Sequence, residues 1–252
     1  MPPRTEIIAH RGASFDAPEN TLASINLGWA QGADAVEIDV HFSKDGYIVV
    51  IHDDNTRKTA GVRRKVSSQT VSELKALDVG SWKSPKFKGE TIPTLAEAFA
   101  TIPRGKRMFV EIKCSAECVE GFAEDFRRSK LKANQVIPIG FSLPTMRQLK
   151  QAVPELEVCW IVEFKRTLRG WSPRAERLIE QVADAGLDGL DVSGKGPVDA
   201  GFAAKVHQAG HKLYIWTVDS PEKATELIAA GVDGITTNKP GWLRAQLELS
   251  AT

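Results

Sequence analysis

Four short clusters of ionisable residues mark this sequence: His10-Arg11-Gly12, Glu37-Ile38-Asp39, His52-Asp53 and Glu111-Ile112-Lys113. Glu37, Asp39 and Glu111 form an oxygen-only donor set, the kind that holds a hard divalent cation, Mg2+ or Ca2+. His10 and His52 carry imidazoles that change charge near neutral pH and can act as base and acid in displacement at phosphorus. Arg11 offers a planar fork matched to a phosphate, and Lys113 a compact charge beside Glu111. Metal ligands, two histidines and two cations together are a kit for cleaving an anionic diester. The remaining histidines, His41, His207 and His211, read as structural, the last two lying in or just after a late helix.

Each cluster follows or ends an apolar run that reads as a buried strand: Ile7-Ile8-Ala9, Ala35-Val36, Ile48-Val49-Val50-Ile51 and Met108-Phe109-Val110. Charge placed there is costly unless it is paired, metal-bound or working. Glu37 and Asp39, two apart on a strand, share one face. Strand-like runs recur near 5–10, 34–40, 107–113, 135–141, 157–162, 187–192, 212–217 and 233–236, most of them separated by one helical stretch. That alternation predicts a (β/α)8 TIM barrel with the clusters on its C-terminal rim. Pro18-Glu19-Asn20 is expected to open a helix closing at Gly32, and Ser220-Pro221-Glu222 another closing at Gly231.

One interval breaks the rhythm, the stretch between Val40 and Arg107. It starts with alternating residues about Asp45-Gly46, which predicts a two-residue type I′ hairpin turn and places His52 opposite Asp39. A small insertion subdomain is expected over about 53–90, where nine Lys or Arg face five acids. This basic segment would lie over the barrel mouth.

With 252 residues, 42% of them apolar, and a formal charge of +1, the chain has the make-up of one barrel domain spanning 1–252. The charge balance gives no case for nucleic acid binding, and no run is apolar enough for stable membrane insertion. The three cysteines, Cys114, Cys118 and Cys159, are expected to be reduced thiols, which with the lack of a signal-like leader points to the cytoplasm. The sequence carries no signal of oligomeric state.

Read together, these segments resemble the glycerophosphodiester phosphodiesterase family nearly end to end. The similar segments are His10-Arg11-Gly12, Pro18-Glu19-Asn20-Thr21, Val36-Glu37-Ile38-Asp39-Val40, Lys44-Asp45-Gly46 leading to Ile51-His52-Asp53, Ile92-Pro93-Thr94-Leu95, Val110-Glu111-Ile112-Lys113 and Trp216-Thr217-Val218. The resemblance implies a barrel with an insertion after the second strand, a metal on Glu37, Asp39 and Glu111, and catalytic histidines at His10 and His52. It also implies phosphate contacts from Arg11 and Lys113 and a pocket wall at Trp216. Three positions depart from the family pattern: Asp219 where Asn is more frequent, Gly140-Phe141 where Ser-Phe is common, and Thr237-Asn238-Lys239-Pro240 in place of Thr-Asp-x-Pro. None is expected to touch the metal or histidine set.

The expected activity is metal-dependent hydrolysis of small glycerophosphodiesters to sn-glycerol 3-phosphate and an alcohol, with His10 as base and His52 as acid. Attack by water and attack by the substrate's own 2-hydroxyl both suit this set. A lysophospholipase D would need an apolar channel, for which Trp82 and Phe87 make a thin face. A non-catalytic phosphodiester-binding barrel would lack one of the key positions, and here all are filled.

Overall fold

The computed structural model describes residues 4–114, 116–168 and 170–249. Eight strands close a parallel barrel: β1 (Glu6–His10), β2 (Ala35–Phe42), β4 (Arg107–Ile112), β5 (Val136–Gly140), β6 (Cys159–Val162), β9 (Gly189–Ser193), β10 (Lys212–Trp216) and β11 (Gly234–Thr237). Neighbours pair in that order and β1 returns to pair with β11, so the expected (β/α)8 TIM barrel is the fold. Helices α1 (Leu22–Ala30), α5 (Cys118–Ser129), α6 (Leu143–Ala152), α7 (Ala175–Ala185), α8 (Ala200–Gln208) and α9 (Pro221–Ala230) cross between successive barrel strands, and α10 (Pro240–Leu249) follows the last.

Strand alternation sorts the side chains. Ile8, Ala35, Phe109, Ile137, Ile139, Cys159, Ile161 and Tyr214 fill the barrel interior. Their strand neighbours Ile7, Ala9, Val36, Met108, Val110 and Leu213 join the larger core between strands and helices. At the N-terminal end the interior is plugged by Arg107, which donates to Glu6 and Glu157 at 3.0 and 2.9 Å, while the Tyr214 hydroxyl donates to Glu157 at 2.6 Å. Continuing the inward parity toward the other end brings in His10 after Ile8, Glu37 and Asp39 after Ala35, Glu111 after Phe109 and Trp216 after Tyr214. The sequence period therefore aims these residues at one rim.

The hairpin departs from expectation by one residue. Strand β3 (Ile48–Val50) pairs antiparallel with β2 so that Val40 faces Val50, His41 faces Val49 and Phe42 faces Ile48. The loop has three residues, not two. Ser43 N–H donates to Tyr47 O at 2.8 Å, Gly46 N–H donates to Ser43 O at 3.2 Å, and Gly46 takes φ +86°, the left-handed position a type I turn with a bulge needs. Asp45 stays outside the pairing and accepts from Ser43 Oγ and Val71 N, tying the turn to α3 (Val71–Lys75). Ile51, not His52, lies opposite Asp39, through Ile51 N–H to Asp39 O at 2.9 Å.

Beyond the hairpin, α2 (Arg57–Ala60), α3 and α4 (Leu95–Phe99) precede β4. Val66, Leu74, Val79 and Ile92 cover Val49 and Ile51 in a small apolar cluster of their own. Lys58 pairs with Glu19, and Lys83 donates to Ser14 O, so two of its basic residues reach the loop that follows β1. The first helix starts later than expected, at Leu22, because Thr21 and Ser24 form a reciprocal cap. Helix α9 runs from its Ser220 cap to Gly231 as expected. The cysteine expectation is corrected: Cys114 and Cys118 form a disulfide, bridging the end of β4 to the first turn of α5, and only Cys159 is free and buried. The cysteines thus no longer argue for a reducing compartment. No helix among the described residues is long and apolar enough to cross a membrane.

Candidate active site

Three neighbouring strands carry the charged groups. His10 ends β1, Glu37 and Asp39 lie on β2, and Glu111 lies near the end of β4 with Lys113 just beyond it. The residue pairing places His10 beside Glu37 and Asp39 beside Glu111. One oxygen from each of Glu37, Asp39 and Glu111 falls within 4.8 Å of the others. Glycine at position 12 makes the turn after His10-Arg11: with φ +78° and the Ser24 backbone against it, no Cβ fits there. The turn sends Arg11 back across the rim, where Nε lies 3.1 Å from Asp39 Oδ2 and Nη1 lies 3.0 Å from Glu19. Arg11 N–H donates to Glu37 Oε2 at 2.8 Å. Lys113 Nζ lies 2.6 Å from Glu111 and 3.2 Å from Asp39.

Burial and crowding set the charge states. Burial, then the charges of Asp39 and Glu111, push the Glu37 carboxyl well above its usual range. Burial and Asp39 push Glu111 up to about 7 despite Lys113. Burial also works against the Asp39 charge, yet Arg11, Lys113 and His52 with the Asn20 amide hold that carboxyl below the ordinary range. His10 is lowered, by burial first and by Arg11 second. Its Nδ1 lies 2.8 Å from Asn238 Oδ1, and its Nε2 lies 4.0 Å from Glu37.

His52 arrives by a different route from the one expected. The chain leaves the hairpin after Ile51, and His52 turns to the rim outside the strand pairing, with Nδ1 2.7 Å from Asp53 Oδ1. His41 Nε2–H donates to the His52 carbonyl at 3.0 Å, which steadies that turn and keeps His41 structural. His207 is likewise engaged elsewhere, with Asp233 at 2.7 Å.

His10, Arg11, Glu37, His52, Glu111 and Lys113 line one cavity of about 190 Å3, together with a second wall from β5, β6, β10 and the ends of those strands. That wall is apolar: Ile139, Phe141, Ile161 and Trp216, with Phe141 and Trp216 in an edge-to-face contact at 5.8 Å. Trp216 Nε1–H donates to Asp191 O at 3.2 Å, which fixes the indole plane. The sequence-predicted residues His10, Arg11, Glu37, Asp39, His52, Glu111, Lys113 and Trp216 are therefore brought to one place.

Three further residues were missed. Asn20 binds Asp39 on two sides, and nothing in the Pro18-Glu19-Asn20-Thr21 segment hints at that role. Asp191 is 2% exposed and lines the cavity, with its Oδ1 lacking a hydrogen-bond partner among the described residues. Burial and the Glu111 charge push its carboxyl well above the usual range. Its signal was legible, since it is an acid inside an apolar run like Glu37. The third is Asn238, whose contact with His10 overturns the expectation that the departures from the family pattern avoid the histidine set.

Comparison with known proteins agrees with this geometry. The profile described as the glycerophosphoryl diester phosphodiesterase family matches residues 10–242. A glycerophosphodiester phosphodiesterase of Caldanaerobacter subterraneus is 33% identical over 249 residues, spanning 94% of this chain and 95% of its own. The structure of an Oleispira antarctica phosphodiesterase in complex with the product sn-glycerol-3-phosphate superposes with a TM-score of 0.88 at 30% identity over 97% of each chain. A glycerophosphodiester phosphodiesterase of Thermotoga maritima gives a TM-score of 0.76 at 25% identity over 98% of each chain. A barrel of this shape, matched along almost its whole length, places the chain in the glycerophosphoryl diester phosphodiesterase family.

Proposed function

We propose that the protein hydrolyses small glycerophosphodiesters to sn-glycerol 3-phosphate and an alcohol, with a divalent cation, Mg2+ or Ca2+, held by Glu37, Asp39 and Glu111. The observation that carries this reading is the clustering of the Glu37, Asp39 and Glu111 carboxylates, two of them buried, beside one cavity at the C-terminal rim that is lined by two histidines, Arg11 and Lys113. The donor set fits such a cation: it is oxygen-only, one oxygen from each residue lies within 4.8 Å of the others, and burial together with mutual repulsion raises two of the three carboxyls. When bound, the cation supplies Lewis-acid stabilisation of the charge that develops on the phosphate oxygens.

The chain's own groups do the rest. Arg11 and Lys113 face the cavity and give a phosphate its charge-assisted contacts. His10, neutral because burial and Arg11 disfavour its cation, takes the proton of the attacking hydroxyl. His52, half-buried and paired with Asp53, delivers a proton to the departing alcohol oxygen. Phe141 and Trp216 exclude water from the leaving-group side and present an apolar wall to it.

The test is turnover of glycerophosphocholine, glycerophosphoethanolamine and related diesters, read as released glycerol 3-phosphate, one metal at a time. Activity is expected to vanish after exhaustive chelation, to return with Mg2+ or Ca2+, and to be lost in Glu111→Gln with the fold retained. Full turnover by protein that elemental analysis shows to be metal-free overturns the reading.

A further inference from the structure

Asp219 and Asn238, the two polar departures from the family pattern, turn out to be hydrogen-bonded to each other, and the pair ends on His10. We propose that Asp219 is a positioning residue: by fixing which end of the Asn238 amide faces His10, it sets that imidazole in the tautomer that carries its proton on Nδ1 and leaves Nε2 free toward the cavity. This rests on the reading above, in which His10 accepts a proton.

The argument is a count of donors and acceptors. Asp219 Oδ1 accepts from Thr237 Oγ and from the Asn238 backbone N–H, both at 2.8 Å. Its Oδ2 accepts from Asn238 Nδ2 at 2.6 Å. Burial works against the Asp219 charge, but the bonds from Asn238 and Thr237 hold its carboxyl below the ordinary range, so it is ionised and only accepts. The amide nitrogen of Asn238 must therefore face Asp219, and the amide oxygen must face the other way. There it accepts from Ser14 Oγ at 3.0 Å and meets His10 Nδ1 at 2.8 Å. An oxygen can only accept, so Nδ1 bears the hydrogen. His10 Nε2 is left without a proton on the side of the ring that lies toward Glu37.

The same count says what substitution does. In Asp219→Asn the amide of residue 219 still has to present its oxygen to Thr237 Oγ and the backbone N–H, so its nitrogen meets the nitrogen of Asn238. The relief is a flip of Asn238, which turns a donor toward His10 Nδ1 and drives the ring proton to Nε2. The paired exchange Asp219→Asn with Asn238→Asp satisfies every donor again. Residue 219 keeps its oxygen on Thr237, gives its amide hydrogen to the new carboxylate, and that carboxylate accepts from His10 Nδ1–H.

The experiment reads the tautomer directly, by nitrogen NMR of histidine-labelled full-length protein, beside steady-state kinetics. Wild type is expected to show the Nδ1–H form at His10, assigned by its loss in His10→Ala. Asp219→Asn is expected to shift that signal to the Nε2–H form and to lower kcat about tenfold or more with KM little changed. The paired exchange is expected to restore both. An Nε2–H form in wild type overturns the proposal, and that measurement needs no variant to fold. So does an Asp219→Asn protein that loses kcat while keeping the Nδ1–H form, or a paired exchange no better than Asp219→Asn alone. The reading of His10 as base fails separately, if His10→Ala retains full turnover.

Discussion

Asn20 and Asp39 hold each other from two sides: Asn20 Nδ2 donates to Asp39 Oδ2 at 2.8 Å, and the Asp39 backbone N–H donates to Asn20 Oδ1 at 3.1 Å. The clamp requires Asn20 to stand at φ +58°, a left-handed conformation that asparagine tolerates better than most residues. It fixes the plane of the one carboxylate in the cluster that is held ionised, so that its other oxygen stays on the Lys113 side.

Removing the amide while keeping the backbone isolates this role. Asn20→Gly retains the left-handed position and is expected to weaken divalent-cation affinity about 10- to 100-fold, the usual scale for losing a group that orients a metal ligand. Titration calorimetry on the folded variant checks it. Unchanged affinity would show that Arg11 and Lys113 alone set the carboxylate.

Removal of either histidine is expected to lower kcat about 10²-fold or more, the scale for a positioned acid or base. The double variant His10→Ala with His52→Ala should be little worse than either single one, because the two act on one transition state. Single-turnover rates settle it, and independent, multiplying losses would mean that the two histidines serve different steps.

The raised carboxyls make a prediction about stability without metal. Glu111 sits near 7 against an ordinary 4.5, and Glu37 is raised as well. Between those values the folded chain keeps protons that the unfolded chain has released, so unfolding free energy falls as pH rises through that window. Asp39 is shifted the other way, and its contribution is lost only in acid, below the same window; His10, lowered by burial, offsets part of the fall, which the two raised carboxyls outweigh in number. Chelated protein should therefore show a lower Tm at pH 8 than at pH 5.5, and saturating Mg2+ or Ca2+ should recover the difference at pH 8 by binding the folded state. A calorimetric Tm that does not fall over this range would contradict the charge states assigned to the cluster.

Much of this was legible in the sequence because a parallel barrel buries each strand on both faces. Runs such as Met108-Phe109-Val110 then stand out, and a charge ending one, such as Glu111, is conspicuous. The hairpin was misread by one residue because Asp45-Gly46 suits both a two-residue turn and the three-residue loop observed, and only the backbone decides between them. The hairpin of β7 (Lys165–Thr167) and β8 (Gly170–Ser172) is mostly exposed, with Trp171 resting partly buried against the core, too short a signal to read as a strand pattern. Contacts distant in sequence, Asn238 to His10 and Asn20 to Asp39, are set by barrel closure and by one loop's left-handed turn, and neither has a local periodicity.

Substrate size follows from the cavity. Its volume of about 190 Å3 accommodates a small diester, while its apolar wall of Ile139, Phe141, Ile161 and Trp216 is short for an acyl chain. Each buried methylene would contribute ~0.8 kcal/mol, so a lipid enzyme needs a long groove to gain from the tail. Glycerophosphocholine is expected to show a higher kcat/KM than lysophosphatidylcholine in direct competition. Preference for the lipid would favour a lysophospholipase D instead.

The separation of the two cavity walls has an evolutionary consequence. The reacting groups come mainly from neighbouring strands β1, β2 and β4 and the loops that follow them, whereas Ile139, Phe141, Ile161 and Trp216 come from β5, β6, β10 and the ends of those strands. Ile139 stands beside Glu111 in the β4–β5 pairing, so substitution there couples to the charged wall, whereas Phe141 and Trp216 lean on each other. With the leaving alcohol against Phe141 and Trp216, as proposed, descendants of this chain could exchange one alcohol for another by drift at those two positions, with the charged set inherited intact.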